Sequence, residues 1–237
     1  MKKNIGLLAL IMMVGGLVAG ASPVDVGAFS APVRVACVGD SITAGVGASK
    51  GNAYPDQLGR MLGGKWAVMN FGVSGATLLN HGDKPYQKQA AFKKALDSQP
   101  NVVVIKLGTN DTKPQNWKFK AEFIADYKDL IRQFAGLPSK PRIFICHPAF
   151  VPGEGKYRIN EVGVLEQIPM LDQIAAEVSA DAIDIHGALK DHPELLPDRV
   201  HPNTTGATVM AKKVFQALTG QEFTGAAPVV TVEAKGK

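Results

Sequence analysis

Cysteine is scarce in this chain, with only Cys37 and Cys146 among 237 residues. Two thiols exclude a disulfide-built scaffold and a four-cysteine structural zinc site. An excess of one charge is also lacking. The formal net charge is +5, and setting aside Lys2 and Lys3 leaves 24 bases against 21 acids. No dense basic run with interleaved aromatics is present, which argues against nucleic acid as a partner. The 25 glycines and 15 prolines are too few for a fibrous or low-complexity protein. Beyond the first residues, no stretch is apolar for long enough to form a spanning helix. Internal repeats, a Walker phosphate loop and zinc-ligand spacings are missing as well. What is there, 46% hydrophobic and 20% charged residues, is the balance of a globular chain and not of a disordered one. The length suits one sizeable core and is thin for two.

The amino terminus differs from the rest. Lys2 and Lys3 precede an apolar, uncharged run from Ile5 to Ala19, and Ala19-Gly20-Ala21 has the small-x-small form of a cleavage site. Residues 1–21 therefore read as a bacterial-type export signal cut after Ala21. A retained membrane anchor is the competing reading. The run is shorter than the 20 or so residues a spanning helix needs, and Gly15 and Gly16 interrupt it. The mature chain is expected to be secreted or periplasmic, without stable membrane insertion. Disulfides are permitted there, but Cys37 and Cys146 both fall in apolar, strand-like runs, so buried free thiols are expected.

Residues 22–32 form a short lead-in, residues 33–220 a single domain, and residues 221–237 a flexible tail with little periodicity. Within the domain, apolar runs alternate with helical patterns. Strands are expected at Val33–Val38, Trp66–Phe71, Val102–Leu107, Arg142–Cys146 and Ala182–Ile185. Helices are expected at Tyr54–Leu62, Tyr86–Leu96, Phe119–Phe134 and Val164–Val178, with a last one capped by Asn203. Strands alternating with helices, and strands apolar on both faces, predict an α/β fold with a parallel sheet covered on both sides.

In such a sheet, ligands sit at the carboxyl ends of the strands. Polar clusters fall there: Gly39-Asp40-Ser41-Ile42-Thr43 after the first strand, Gly72-Val73-Ser74-Gly75-Ala76-Thr77 after the second, and Gly108-Thr109-Asn110-Asp111 after the third. A fourth, Asp198-Arg199-Val200-His201, precedes the last helix. Together they supply the parts that acyl transfer needs. Ser41 on a sharp turn can be a nucleophile, but a serine hydroxyl needs a base. His201 can take and return its proton, and Asp198 can fix the imidazole tautomer. His81, His147, His186 and His192 lack an Asp three residues before them, which favours His201. The Ser41 and Gly75 backbone N–H groups and the Asn110 amide can serve as oxyanion donors.

These four blocks, in this order, resemble those of the SGNH (GDSL) hydrolase family, named for a Ser, a Gly, an Asn and a His in separated motifs. Here they fall on Ser41 in Gly-Asp-Ser-Ile-Thr, Gly75 in Ser-Gly-Ala-Thr, Asn110 in Gly-Thr-Asn-Asp, and His201 in Asp-x-x-His with Asp198. The likeness runs from about Val33 to Leu218. It implies a flavodoxin-like three-layer α/β/α sandwich with a five-stranded parallel sheet, and ester hydrolysis through an acyl-enzyme with no cofactor and no metal. Gly75 fits the family block more closely than Gly72. An α/β-hydrolase would instead place its serine in Gly-x-Ser-x-Gly, and a metallophosphoesterase would need clustered His and Asp ligands that the sequence does not supply.

Four further residues are weaker candidates for substrate binding. Asp40 suits a turn better than a second acid. Asp111 either orders the Asn110 loop or touches substrate. Trp117 either packs its loop or stacks on a sugar ring, and His147 either lines the pocket or is structural. The polar Asp111–Trp117 segment, the export signal and a likeness to bacterial sialate or polysaccharide O-acetylesterases point to acetylated carbohydrate as substrate. A lysophospholipase, short-chain lipase or thioesterase with the same machinery is the alternative. A non-catalytic glycan-binding module is a more distant one.

Overall fold

A computed structural model describes residues 22–226 and 228–231. The expected export signal lies outside the described residues. Five strands, β1 (Val33–Gly39), β2 (Trp66–Gly72), β3 (Val102–Lys106), β4 (Arg142–Cys146) and β5 (Asp181–Ile183), form one sheet. All pairings are parallel and the spatial order is β2-β1-β3-β4-β5. This is the flavodoxin-like order, so the expected α/β three-layer architecture is what the chain adopts.

Side-chain alternation along the strands builds the layers. Val33, Val35 and Cys37 of β1, Val102 and Val104 of β3, and Phe144 and Cys146 of β4 pack into one core. That core is covered by α2 (Tyr54–Leu62), α7 (Ile185–Leu189) and α8 (Thr204–Thr219). Ala36, Val38, Val103, Ile105, Ile143 and Ile145 face the opposite way. Over them lie α3 (Ala90–Asp97), α5 (Phe123–Ala135) and α6 (Glu161–Val178). Each fully buried Val, Ile or Leu contributes roughly 1.5–3 kcal/mol, so β1 and β3, buried on both faces, anchor the molecule. Cys37 and Cys146 are free and buried. Burial raises the Cys37 thiol far above its ordinary range and the Cys146 thiol to about 12, which keeps both protonated.

The helices depart from expectation in places. The segment Tyr86–Leu96 is not one helix. A 3-10 turn at Tyr86–Lys88 precedes α3, and Gln89 between them is extended. The buried Tyr86 donates its hydroxyl to the Phe71 carbonyl at 2.8 Å, which fixes that turn on the sheet edge. The helix expected from Phe119 starts as α5 only at Phe123, because the preceding chain winds into α4 (Pro114–Trp117) and a 3-10 turn at Lys120–Glu122. The last strand stops at Ile183. Asp184 then caps α7 by accepting from the Gly187 N–H at 2.7 Å, so Ile185 is helical. Among the described residues after α8 there is no regular structure, but they are held against α2. Val230 accepts from and donates to the Asn52 side chain, and Pro228 accepts from Arg60.

Candidate active site

The strand order reverses direction between β1 and β3. The chain leaves β1 for β2 on one side and later returns to β3 on the other. Connections diverge there, which opens a crevice at the carboxyl ends of both strands. Ser41 follows β1 and Asn110 follows β3, so the two flank it. A cavity of about 350 Å³ opens at this place, lined by Ser41, Ser74, Gly75, Asn110, Lys113, Ile159 and His201, with the exposed Val46 and Tyr157 at its mouth.

Ser41 opens α1 (Ser41–Ala44), a single turn capped by Asp40, whose Oδ1 accepts from the Ile42 N–H at 2.9 Å. Two features hold this short helix. Asn70 donates to the Thr43 carbonyl at 2.7 Å. Gly72 lets the helix backbone lie against β2, where a Cβ would meet the Ala44 nitrogen at 2.2 Å. The Gly72 N–H is itself engaged by Asn70 Oδ1 at 2.9 Å. Gly75, by contrast, lines the cavity in a left-handed conformation with φ +81°. Among the described residues, neither the Ser41 nor the Gly75 N–H has an acceptor.

The loop between β3 and α4 is set by Gly108 and Asn110. Gly108 has φ +115°, and a Cβ there would come within 2.2 Å of Gln167 Oε1. Only glycine combines that backbone with that approach. Gln167 on α6 also donates to the Gly108 carbonyl at 2.9 Å. Asn110 donates one amide proton to the Ala76 carbonyl at 3.1 Å, leaving the second for the cavity.

Three side chains meet in line. Ser41 Oγ is 2.9 Å from His201 Nε2, and His201 Nδ1 is 2.7 Å from Asp198 Oδ2. Asp198 Oδ1 accepts from the His201 and Val200 backbone N–H groups at 2.7 and 3.1 Å, which locks the carboxylate beneath the ring. With Nδ1–H donating to that carboxylate, Nε2 is left as the acceptor of the Ser41 hydroxyl proton. Partial burial works to raise the Asp198 carboxyl, but the hydrogen bonds from His201 outweigh it and hold the group below the usual carboxylate range. Ser41 and His201 are both buried.

The four weaker substrate-binding candidates lie outside the cavity lining. Asp40 is fully buried, its oxygens spent on the α1 cap and on Lys106. Asp111 is also fully buried. Its two oxygens accept from the Leu78 and Leu79 N–H groups at 3.0 and 2.8 Å, tying the β3 loop to the β2 loop. Trp117 packs edge-on against Phe123 at 5.4 Å and donates to Glu166 at 2.8 Å, so its ring serves the loop. His147 points toward α6 and α7, its ring nitrogens 2.9 Å from Asp172 and 3.4 Å from Asp184.

Sequence reading missed Val46, Ser74, Lys113, Tyr157 and Ile159 as lining residues. Ser74 and Val46 sit inside or beside blocks already singled out. Tyr157 and Ile159 come from the long connection between β4 and α6, which carries no motif, and its length is the only available signal. Lys106 was missed as well, though a charged residue ending the run Val102-Val103-Val104-Ile105 is conspicuous.

Fold and crevice define a three-layer α/β/α protein with its candidate site at the carboxyl ends of β1 and β3. The sequence profile of the GDSL-like lipase/acylhydrolase family matches residues 37–209, and the chain belongs to that family. Among curated proteins, an acetylxylan esterase of Xylanibacter ruminicola is 38% identical over 209 residues, covering 78% of this chain and 43% of that protein. The chain thus spans less than half the length of that relative. Two solved structures share the fold. One is an acetyl xylan esterase with TM-score 0.63, 24% identity and coverage of 78% of this chain and 100% of that one. The other is a carbohydrate acetylesterase from Sinorhizobium meliloti with TM-score 0.63, 18% identity and coverage of 78% and 97%.

Proposed function

We propose that the chain is a serine ester hydrolase that removes O-acetyl groups from carbohydrate, with acetylated xylan as the first substrate class to examine. The observation that carries the reading is the Ser41–His201–Asp198 line, 2.9 and 2.7 Å between successive partners, opening on a cavity. The acetylxylan esterase relative supports the choice of substrate. Export before action, through residues 1–21, is part of the same reading.

Ser41 Oγ attacks the acetyl carbonyl carbon while His201 Nε2 takes its proton. The carbonyl oxygen becomes an oxyanion, received by the Ser41 and Gly75 N–H groups and the free proton of the Asn110 amide. Asp198 stabilises the imidazolium and keeps its orientation. His201 then gives its proton to the departing sugar oxygen, the C–O bond breaks, and acetyl-Ser41 remains. A water, deprotonated by His201, attacks that ester, releasing acetate and restoring Ser41. Tyr157, about two-thirds exposed at the cavity mouth, offers a ring face for a sugar, the part first considered for Trp117.

Acetate release from acetylated xylan, measured for the wild type and Ser41→Ala, tests this. Loss of at least about a thousandfold in kcat is expected for the variant. Retained activity in Ser41→Ala refutes the nucleophile. Turnover of octanoyl or lysophospholipid esters in preference to acetate refutes the substrate class.

A further inference from the structure

Beneath the serine turn lies a charged pair that the hydrolytic steps do not use. Lys106, the last residue of β3, has a fully buried side chain. Its Nζ lies 3.0 Å from Asp40 Oδ2, 3.3 Å from Asp40 Oδ1 and 2.5 Å from Thr109 Oγ1. Three partner oxygens engage the three protons of one ammonium. Burying two opposite charges yields little net stability, because desolvation consumes most of their attraction, and an apolar pair fills such a place equally well. The pair is better explained by where its ends lie. Asp40 directly precedes Ser41 and caps its helix. Thr109 directly precedes Asn110, the side-chain oxyanion donor.

We propose that Lys106 is a positioning residue: its ammonium clamps the end of β1 to the end of β3 and so fixes the separation between the Ser41 N–H and the Asn110 amide at which both reach one oxyanion. It touches neither substrate nor reacting atoms. The inference rests on the hydrolytic reading above. A clamp on oxyanion donors acts on the transition state and not on ground-state binding, so its loss lowers kcat and leaves KM in place.

Lys106→Met strands a buried carboxylate and endangers the fold, so the test uses Thr109→Val, which keeps size and leaves the ion pair whole. Hydrolysis of p-nitrophenyl acetate is measured for the wild type, Thr109→Val, Asn110→Ala and the double variant, with thermal melting beside it. Thr109→Val is expected to lower kcat roughly 10- to 100-fold with KM unchanged, since small misplacements of catalytic groups are costly. On the Asn110→Ala background the same substitution should have no further effect on kcat, because the donor it aims is gone. Full activity in Thr109→Val, or losses that multiply in the double variant, overturns the proposal while leaving the hydrolytic reading intact. A wild type inert toward the ester overturns both.

Discussion

At the residue scale, the site is surrounded by charges held in unlike ways. Asp198 is pulled down and kept ionised beside His201, as the proposed role in orienting the ring requires. Asp111 goes the other way. Burial raises its carboxyl to about 7, although the Leu79 and Leu78 N–H groups pull it down, and Asp40 adds to the rise. A group whose folded value is raised binds its proton more tightly folded than unfolded. Its contribution is therefore fully present at low pH and is lost as pH rises through about 7. Asp111→Asn removes that titration but leaves one of two backbone donors facing an NH2 group, costing about 1–3 kcal/mol. The melting-temperature gap between the wild type and Asp111→Asn should narrow as pH goes from about 5 to about 9. A gap that is constant or widens contradicts the raised value. The meeting of Ser41, His201 and Asp198 was legible because each sits in a short motif, after the first strand or just before the last helix. The partners of Asp40 and Asp111 were not. Lys106 is 66 positions from Asp40, and Leu78 is 33 from Asp111, so only folding brings them together.

At the element scale, strands were read more accurately than helices. β1 to β4 match their expected spans to within a residue; for β1, β3 and β4 an apolar run buried on both faces is dictated by its own composition, while β2 is a half-exposed edge strand. The starts of α6 and α7 were set by polar side chains that made local caps. Asp184 turned a strand residue into the first residue of α7, and Asn160 began α6 three residues before the expected Val164. The Asn203 cap of α8 was legible: its Oδ1 accepts from the Gly206 N–H at 2.9 Å. That cap sits two residues after His201, so it serves placement as well as stability. Asn203→Ala should cost about 1 kcal/mol of stability, read by denaturant unfolding. A variant as stable as the wild type would show that the contacts of α8 with α2 alone fix the helix start.

At the scale of the whole molecule, the parallel order β2-β1-β3-β4-β5 explains how residues 160 positions apart meet. The β1 and β3 ends open the crevice, the α2–α8 layer brings His201 under Ser41, and the opposite layer supports the Asn110 loop through Gln167. The parallel sheet and four of its site blocks were legible because both follow from local pattern. The Tyr157 and Ile159 side of the cavity was not, since both belong to a connection whose path is set by packing Val151, Ile159, Val164 and Val200 together. The central claim is that a single activated hydroxyl carries the chemistry. Treating the folded protein with a fluorophosphonate ester and mapping the adduct by mass spectrometry tests it most directly. One phosphonyl group on Ser41, lost in His201→Ala, is the predicted result; a protein that hydrolyses acetate esters while Ser41 remains unlabelled would contradict it.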